Sequence, residues 1–140
     1  MANKSLLAAT FAATLALAGA LATTHEGLEN KTYLDPVGIP TNCYGHTATA
    51  KIGQVKTTAE CKKLLNEDLL IAIADVESRV KVELTIERRA ALVDFVYNVG
   101  GTKFGNSTLL KKLNASDARG ACAELSKWVY AGGVKLKGLV

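Results

Sequence analysis

Between Lys4 and Glu26 the chain has no Asp, Glu, Lys or Arg. Aromatic residues are scarce as well, at 6% of 140 residues, with a single Trp. Only two Pro occur, and no low-complexity linker or internal repeat divides the chain. One domain is the expectation at this length. No cysteines are spaced as CxxC, and His25 and His46 lack partners at ligand spacing, so the common zinc patterns are excluded. No dense Arg/Lys run is present and few aromatics lie among the basic residues, so nucleic acid is not an expected partner. Charged residues still make up 21%, which argues against wholesale disorder. The length suffices to bury roughly two-thirds of the unfolded surface, so a core needs no staples.

What is there is unevenly placed. Residues 5–24 hold eight Ala, five Leu, one Phe and one Gly, with Ser5 and four Thr as the polar side chains. As a helix this segment would be about 30 Å long, enough to cross a bilayer core. Three readings stay open. It could be a cleavable signal peptide, with Lys4 as the positive start and Ala20-Leu21-Ala22 as a small-x-small site. It could be an uncleaved, weak anchor, since five Leu and one Phe contribute only roughly −2 to −4 kcal/mol to insertion. It could be a core helix, because Ala and Leu favour helix in water too. One apolar segment excludes a polytopic membrane protein.

Charge divides along the chain. Residues 1–101 carry a net charge of −1 and residues 102–140 a net of +5. A basic C-terminal part could meet anionic lipid or an acidic wall polymer, and the commoner reading is a solvated face. The three cysteines leave at least one unpaired. An exported chain would keep disulfides, and Cys43–Cys61 is the expected pair.

Residues 27–56 read as turns and small strands, punctuated by Asp35-Pro36 and Gly38. Helical patterning begins at Thr57, where Thr57-Thr58-Ala59-Glu60 forms a capping box. Leu65, Leu69, Ala72, Ile73, Val76 and Val80 then form one buried stripe. A second helix starts near Thr85, turns Leu92, Phe95, Val96 and Val99 inward, and stops at Gly100-Gly101. A short helix follows Ser107, with Leu109, Leu110 and Leu113 inward. A further long helix is expected from Ser116, with Ala121, Leu125, Trp128 and Val129 inward and Gly132-Gly133 as its stop. The fold class is α+β: an N-terminal helix, a small antiparallel sheet, then a mainly helical lobe.

Two carboxylates nine positions apart, Glu26 and Asp35, bear the chemistry, with Thr41 six residues further on. Glu26 would end the N-terminal helix, with Gly27 as its stop signal. The negative end of the helix dipole and apolar packing both disfavour a charged carboxyl there. A general acid working near neutral pH needs such an environment. Asp35, in a polar turn, is expected to stay ionised. Two carboxylates in opposed environments across a cleft form the arrangement used for glycoside hydrolysis. A plain helix-terminal Glu is the default alternative.

The run Glu26-Gly27-Leu28, Lys31, Tyr33, Asp35, Gly38, Thr41 and Gly45-His46-Thr47 resembles the phage lysozymes of glycoside hydrolase family 24. That family's signature is Glu, eight residues, Asp or Cys, five residues, Thr. Arg88-Arg89-Ala90-Ala91-Leu92, Phe95 to Gly100, Phe104, Ser107 to Leu110 and Trp128 resemble its helical lobe. With the apolar N-terminus, the chain is most similar to signal-arrest-release endolysins. The resemblance implies two parts, a signal-arrest-release segment at 1–24 and a lysozyme-like catalytic domain at 25–140.

It also implies a muramidase that cleaves the β-1,4 bond between N-acetylmuramic acid and N-acetylglucosamine in peptidoglycan, with inversion. Glu26 would protonate the leaving oxygen, Asp35 would be the base partner or charge stabiliser, and Thr41 would position the water. Tyr33, Asn98 and Phe104 would line the substrate cleft. For Tyr33 and Asn98 a structural role is equally open, and Phe104 and Trp128 at helical positions are more often core. His46 reads as a structural hydrogen-bonder behind the sheet. No cofactor or metal is called for, and a monomer is expected.

Members of this family commonly continue past the Gly-Leu of Gly138-Leu139 with an Arg-Arg-Glu helix, whose Arg often pairs with the acid; this helix is expected to be missing here. No Cys precedes residue 25, which excludes control by a thiol in the segment. The resemblance suggests an enzyme held inactive while residues 5–24 lie in the inner membrane, with Glu26 pinned at the lipid surface, and active in the periplasm after release. Cleavage after Ala22 would leave four residues through Glu26, too few for a packed helical turn. The competing readings are an impaired peptidoglycan-binding module and a membrane-permeabilising protein.

Overall fold

The structure, a computed structural model, describes residues 4–129, with side chains from 9 to 125. Helix α1 spans Lys4–Glu26 and is followed by strands β1 (Glu29–Leu34) and β2 (Pro40–Cys43). Helices α2 (Thr58–Arg79), α3 (Ile86–Val99), α4 (Gly101–Gly105), α5 (Thr108–Asn114) and α6 (Ala118–Val129) complete the described chain. The inward placement of Trp128 and Val129 and the stop at Gly132-Gly133 lie outside the described residues and side chains.

Helix α1 lies mainly along α3 and also touches α2. Its buried face is Thr14, Ala18 and Ala22, at four-residue spacing. Leu15 and Leu21 flank it, partly buried, while Phe11 and Leu17 are exposed. Apolar side chains therefore surround this helix rather than forming one stripe. Among the described residues no helix is long and apolar enough to cross a membrane.

Strands β1 and β2 pair antiparallel, with Tyr33 opposite Thr41 and Leu34 opposite Pro40. The turn between them is built by Asp35, whose Oδ1 accepts from Val37 N at 2.9 Å and Ile39 N at 2.8 Å. Asp side chains favour such turns because they satisfy nearby backbone donors. Cys43 is joined to Cys61, which ties the end of β2 to the first turn of α2. Cys122 is free and exposed.

The helical lobe forms where the capping residues indicate. Thr57 and Glu60 close both arms of the capping box. Thr85 and Ser107 cap α3 and α5 through Arg88 N and Leu110 N. Leu65, Leu69, Ala72, Ile73 and Val76 are buried on α2, against Val93, Phe95 and Val96 of α3. Each such Leu, Ile, Val or Phe side chain contributes about 1.5–3 kcal/mol on burial.

Two boundaries differ from the sequence expectation. Gly100, at φ 90, ends α3, but Gly101 opens the five-residue α4 instead of a loop. The reason is tertiary: Phe104 is fully buried and packs edge-on against Phe95, ring centroids 6.2 Å apart. The last helix begins at Ala118, because Ser116 has φ 65 and Asp117 Oδ1 accepts from Gly120 N at 2.9 Å. Asp117, not Ser116, supplies the start signal.

Candidate active site

Glu26 is the last residue of α1, and Gly27 turns the chain away at φ 71. The 44–46 loop faces it. A Cβ placed on Gly45 would stand 3.1 Å from Glu26 Oε2 and 3.6 Å from the Tyr97 hydroxyl oxygen. Gly45 also has φ +84, so a larger side chain there would be strained, and the Glu26 carboxyl would have to give way slightly. The loop is closed by paired backbone bonds, Asn42 N to His46 O at 2.9 Å and His46 N to Asn42 O at 2.8 Å. The Tyr97 hydroxyl donates to Tyr44 O and fastens this loop to α3.

Burial pushes the Tyr97 hydroxyl far above its usual range, with Asp68, Glu26, Asp94 and Tyr33 adding to the shift. Tyr97 therefore stays protonated and remains a donor. Tyr33 is 43% exposed, and its hydroxyl is raised by burial, then by Glu26, Glu29 and Asp35. Three carboxyls thus face Tyr33: Glu26 from the end of α1, Glu29 from β1 and Asp35 from the hairpin turn. Thr41, paired across the strands from Tyr33, is buried and donates its hydroxyl to Ile39 O at 2.9 Å. Its lone pairs are what it can offer elsewhere.

Asn98 is half-buried and gives its amide to Asp94 O at 2.8 Å, within its own helix. Phe104 corrects the sequence expectation of a substrate contact: with 0% exposure it is a core residue. His46 is buried, with Nδ1 2.6 Å from Asp68 Oδ2 and Nε2 2.6 Å from Thr49 Oγ1. Thr49 N also donates to Nε2 at 3.2 Å, so we assign the proton to Nδ1. His46 joins the loop to α2, the structural role read from the sequence.

A pair absent from the sequence reading is His25 with Asp94, Nδ1 to Oδ2 at 3.2 Å. The signal was present: Asp94 stands alone in the apolar run Leu92-Val93-Asp94-Phe95-Val96. A cavity of about 180 Å3 adjoins the loop and is lined by Gly45, Asp68, Asp75, Tyr97 and Gly101 among others. Among the described residues no cluster of His, Cys, Asp or Glu is arranged to hold a metal ion.

Against known families, the one described as Phage lysozyme matches residues 23–140. The chain belongs to the phage lysozyme family. Among its phage lysozyme relatives is the SAR-endolysin of Bacteriophage PS119, 43% identical over 99% of this chain and 87% of the relative. Of solved structures, the muramidase domain of SpmX from Asticaccaulis excentricus is 30% identical, with a TM-score of 0.76 over 87% of this chain and 86% of that one. The endolysin from Escherichia coli O157:H7 phage FAHEc1 is 31% identical, with a TM-score of 0.70 over 91% and 83%. The lysozyme-like α+β architecture expected from the sequence is confirmed by these likenesses and by the fold itself.

Proposed function

We propose that this phage lysozyme relative is an endolysin. Its reaction is hydrolysis of the β-1,4 bond between N-acetylmuramic acid and N-acetylglucosamine in peptidoglycan, with inversion. Glu26 protonates the leaving oxygen, Asp35 acts as base partner or charge stabiliser, and Thr41 uses its lone pairs to orient the attacking water. The observation that carries this reading is the seat of Glu26, which ends α1 against Gly45 of the loop that follows the β1–β2 hairpin, whose turn is built by Asp35. Two carboxylates brought to one open surface by different elements are what glycoside hydrolysis needs. Tyr33 and Asn98 line the sugar path. We propose that the enzyme acts as a monomer.

The test is turbidity loss of outer-membrane-stripped cells, wild type against Glu26→Gln. Loss of clearing by at least about a hundredfold is expected for removal of a general acid. Undiminished clearing by the variant would sink the assignment and favour membrane disruption.

Residues 5–24 serve first as an inner-membrane anchor and then, on release into the periplasm, as the packed α1. Two features support this: the exposed Phe11 and Leu17 on a helix that also packs, and the SAR-endolysin relatives. Equal muralytic activity in washed membrane and soluble fractions would contradict it.

A further inference from the structure

Glu26 ends α1, so its placement depends on how that end is held. The residue before it, His25, reaches α3, with Nδ1 3.2 Å from Asp94 Oδ2. Asp94 is 3% exposed, and its Oδ1 is buried with no hydrogen-bond partner among the described residues. Burial pushes the Asp94 carboxyl up, and His25 opposes that push. A buried carboxylate with an unmet oxygen costs stability. Packing alone would be better served by an apolar residue of that size, so the group has another use.

That use is legible on α3. Asp94 and Tyr97 are three residues apart and lie on one helix face. Asp94 holds the end of α1 through His25, and Tyr97 holds the 44–46 loop through Tyr44 O. The two held pieces meet where Gly45 faces the Glu26 carboxyl. The titratable groups gathered there are His25 and Glu26 from α1, Tyr33 from β1, Asp68 from α2, and Asp94 and Tyr97 from α3.

We propose that His25 and Asp94 are a pair of positioning residues, which pin the last turn of α1 to α3 and so fix the Glu26 carboxyl for proton transfer. This rests on the reading of Glu26 as the acid. The pair touches no reacting atom and acts only through Glu26.

The experiment measures initial clearing rates at varied cell-wall concentration for His25→Ala, Asp94→Ala, the double variant and Asp94→Asn, each checked for folding by thermal unfolding. Each alanine variant should lower kcat about tenfold with KM within about twofold, because misplacing a reacting group costs rate more than binding. The double variant should lose no more than either single one. Asp94→Asn keeps an oxygen that accepts from Nδ1–H, and should recover most of kcat. Losses that multiply in the double variant, losses shared equally by KM, or no rescue by Asn would overturn the proposal. Should Asp94→Ala not fold, His25→Ala against Asp94→Asn decides by the same kcat criterion. Glu26→Gln runs alongside. If it clears at the wild-type rate, the acid assignment fails. If it is inactive while the alanine variants keep full kcat, only the positioning role fails.

Discussion

Gly45 and Glu26 are closely apposed: a Cβ at position 45 would stand 3.1 Å from the Glu26 carboxyl oxygen, tighter than an ordinary contact. The smallest residue thus sets how closely the loop can approach the end of α1.

Gly45→Ala should therefore lose stability and activity together, with activity falling further. The left-handed backbone alone costs a side-chain-bearing residue about 1–2 kcal/mol. Displacement of the Glu26 carboxyl adds a rate loss on top. Urea unfolding and clearing rates on the same preparation separate the two effects; equal rates in wild type and variant would show that this approach does not matter.

Removing the Cys43–Cys61 bridge, by reductant or as a Cys43→Ala/Cys61→Ala variant, should cost about 3 kcal/mol, the value for a closed loop of this length. Cys122→Ser, at an exposed free thiol, should leave the unfolding midpoint unchanged. Urea midpoints with and without reductant check both.

Asp94→Asn should change the pH dependence of stability. The Asp94 carboxyl is raised in the folded state. It therefore favours folding fully only below the ordinary Asp value, and that contribution is lost as pH rises through the raised value. Asn does not titrate. The variant should gain on wild type from about pH 4 upward and lose that gain below it. Unfolding free energies at about pH 3 and about pH 7 measure this; a gap of opposite sign would mean that His25 outweighs burial.

Phe104→Ala should destabilise the chain by about 3–5 kcal/mol, the usual loss for a buried Phe. The variant's KM for cell walls should stay at the wild-type value while it remains folded. A raised KM at low temperature would return Phe104 to the substrate path.

Local rules carried most of the fold. Caps at Thr57, Thr85 and Ser107 and the stripe from Leu65 to Val76 are short-range signals, and the structure repeats them. Helix α4 was missed because its cause is the long-range seat of Phe104 on Phe95. In the candidate site, Glu26, Asp35 and Thr41 are singled out by their match to the family signature, and their roles rest on that resemblance. What holds them was not legible. His25 and Asp94 are 69 positions apart, and Tyr97 and Tyr44 are 53 apart. No local pattern announces such partners. A lone acid in an apolar run was the one hint, and it pointed to Asp94 without naming His25.

The buried face of α1 has a mechanical consequence. Most core helices interlock with their neighbours through Leu and Ile side chains that fill holes on the facing surface. The fully buried row of helix α1 is Thr14, Ala18 and Ala22, which project little beyond the backbone, with Leu15 and Leu21 packed partly buried beside it. That row is a shallow track, so resistance to sliding or lifting falls to Leu15, Leu21 and the end of the helix. That end is where Glu26 sits.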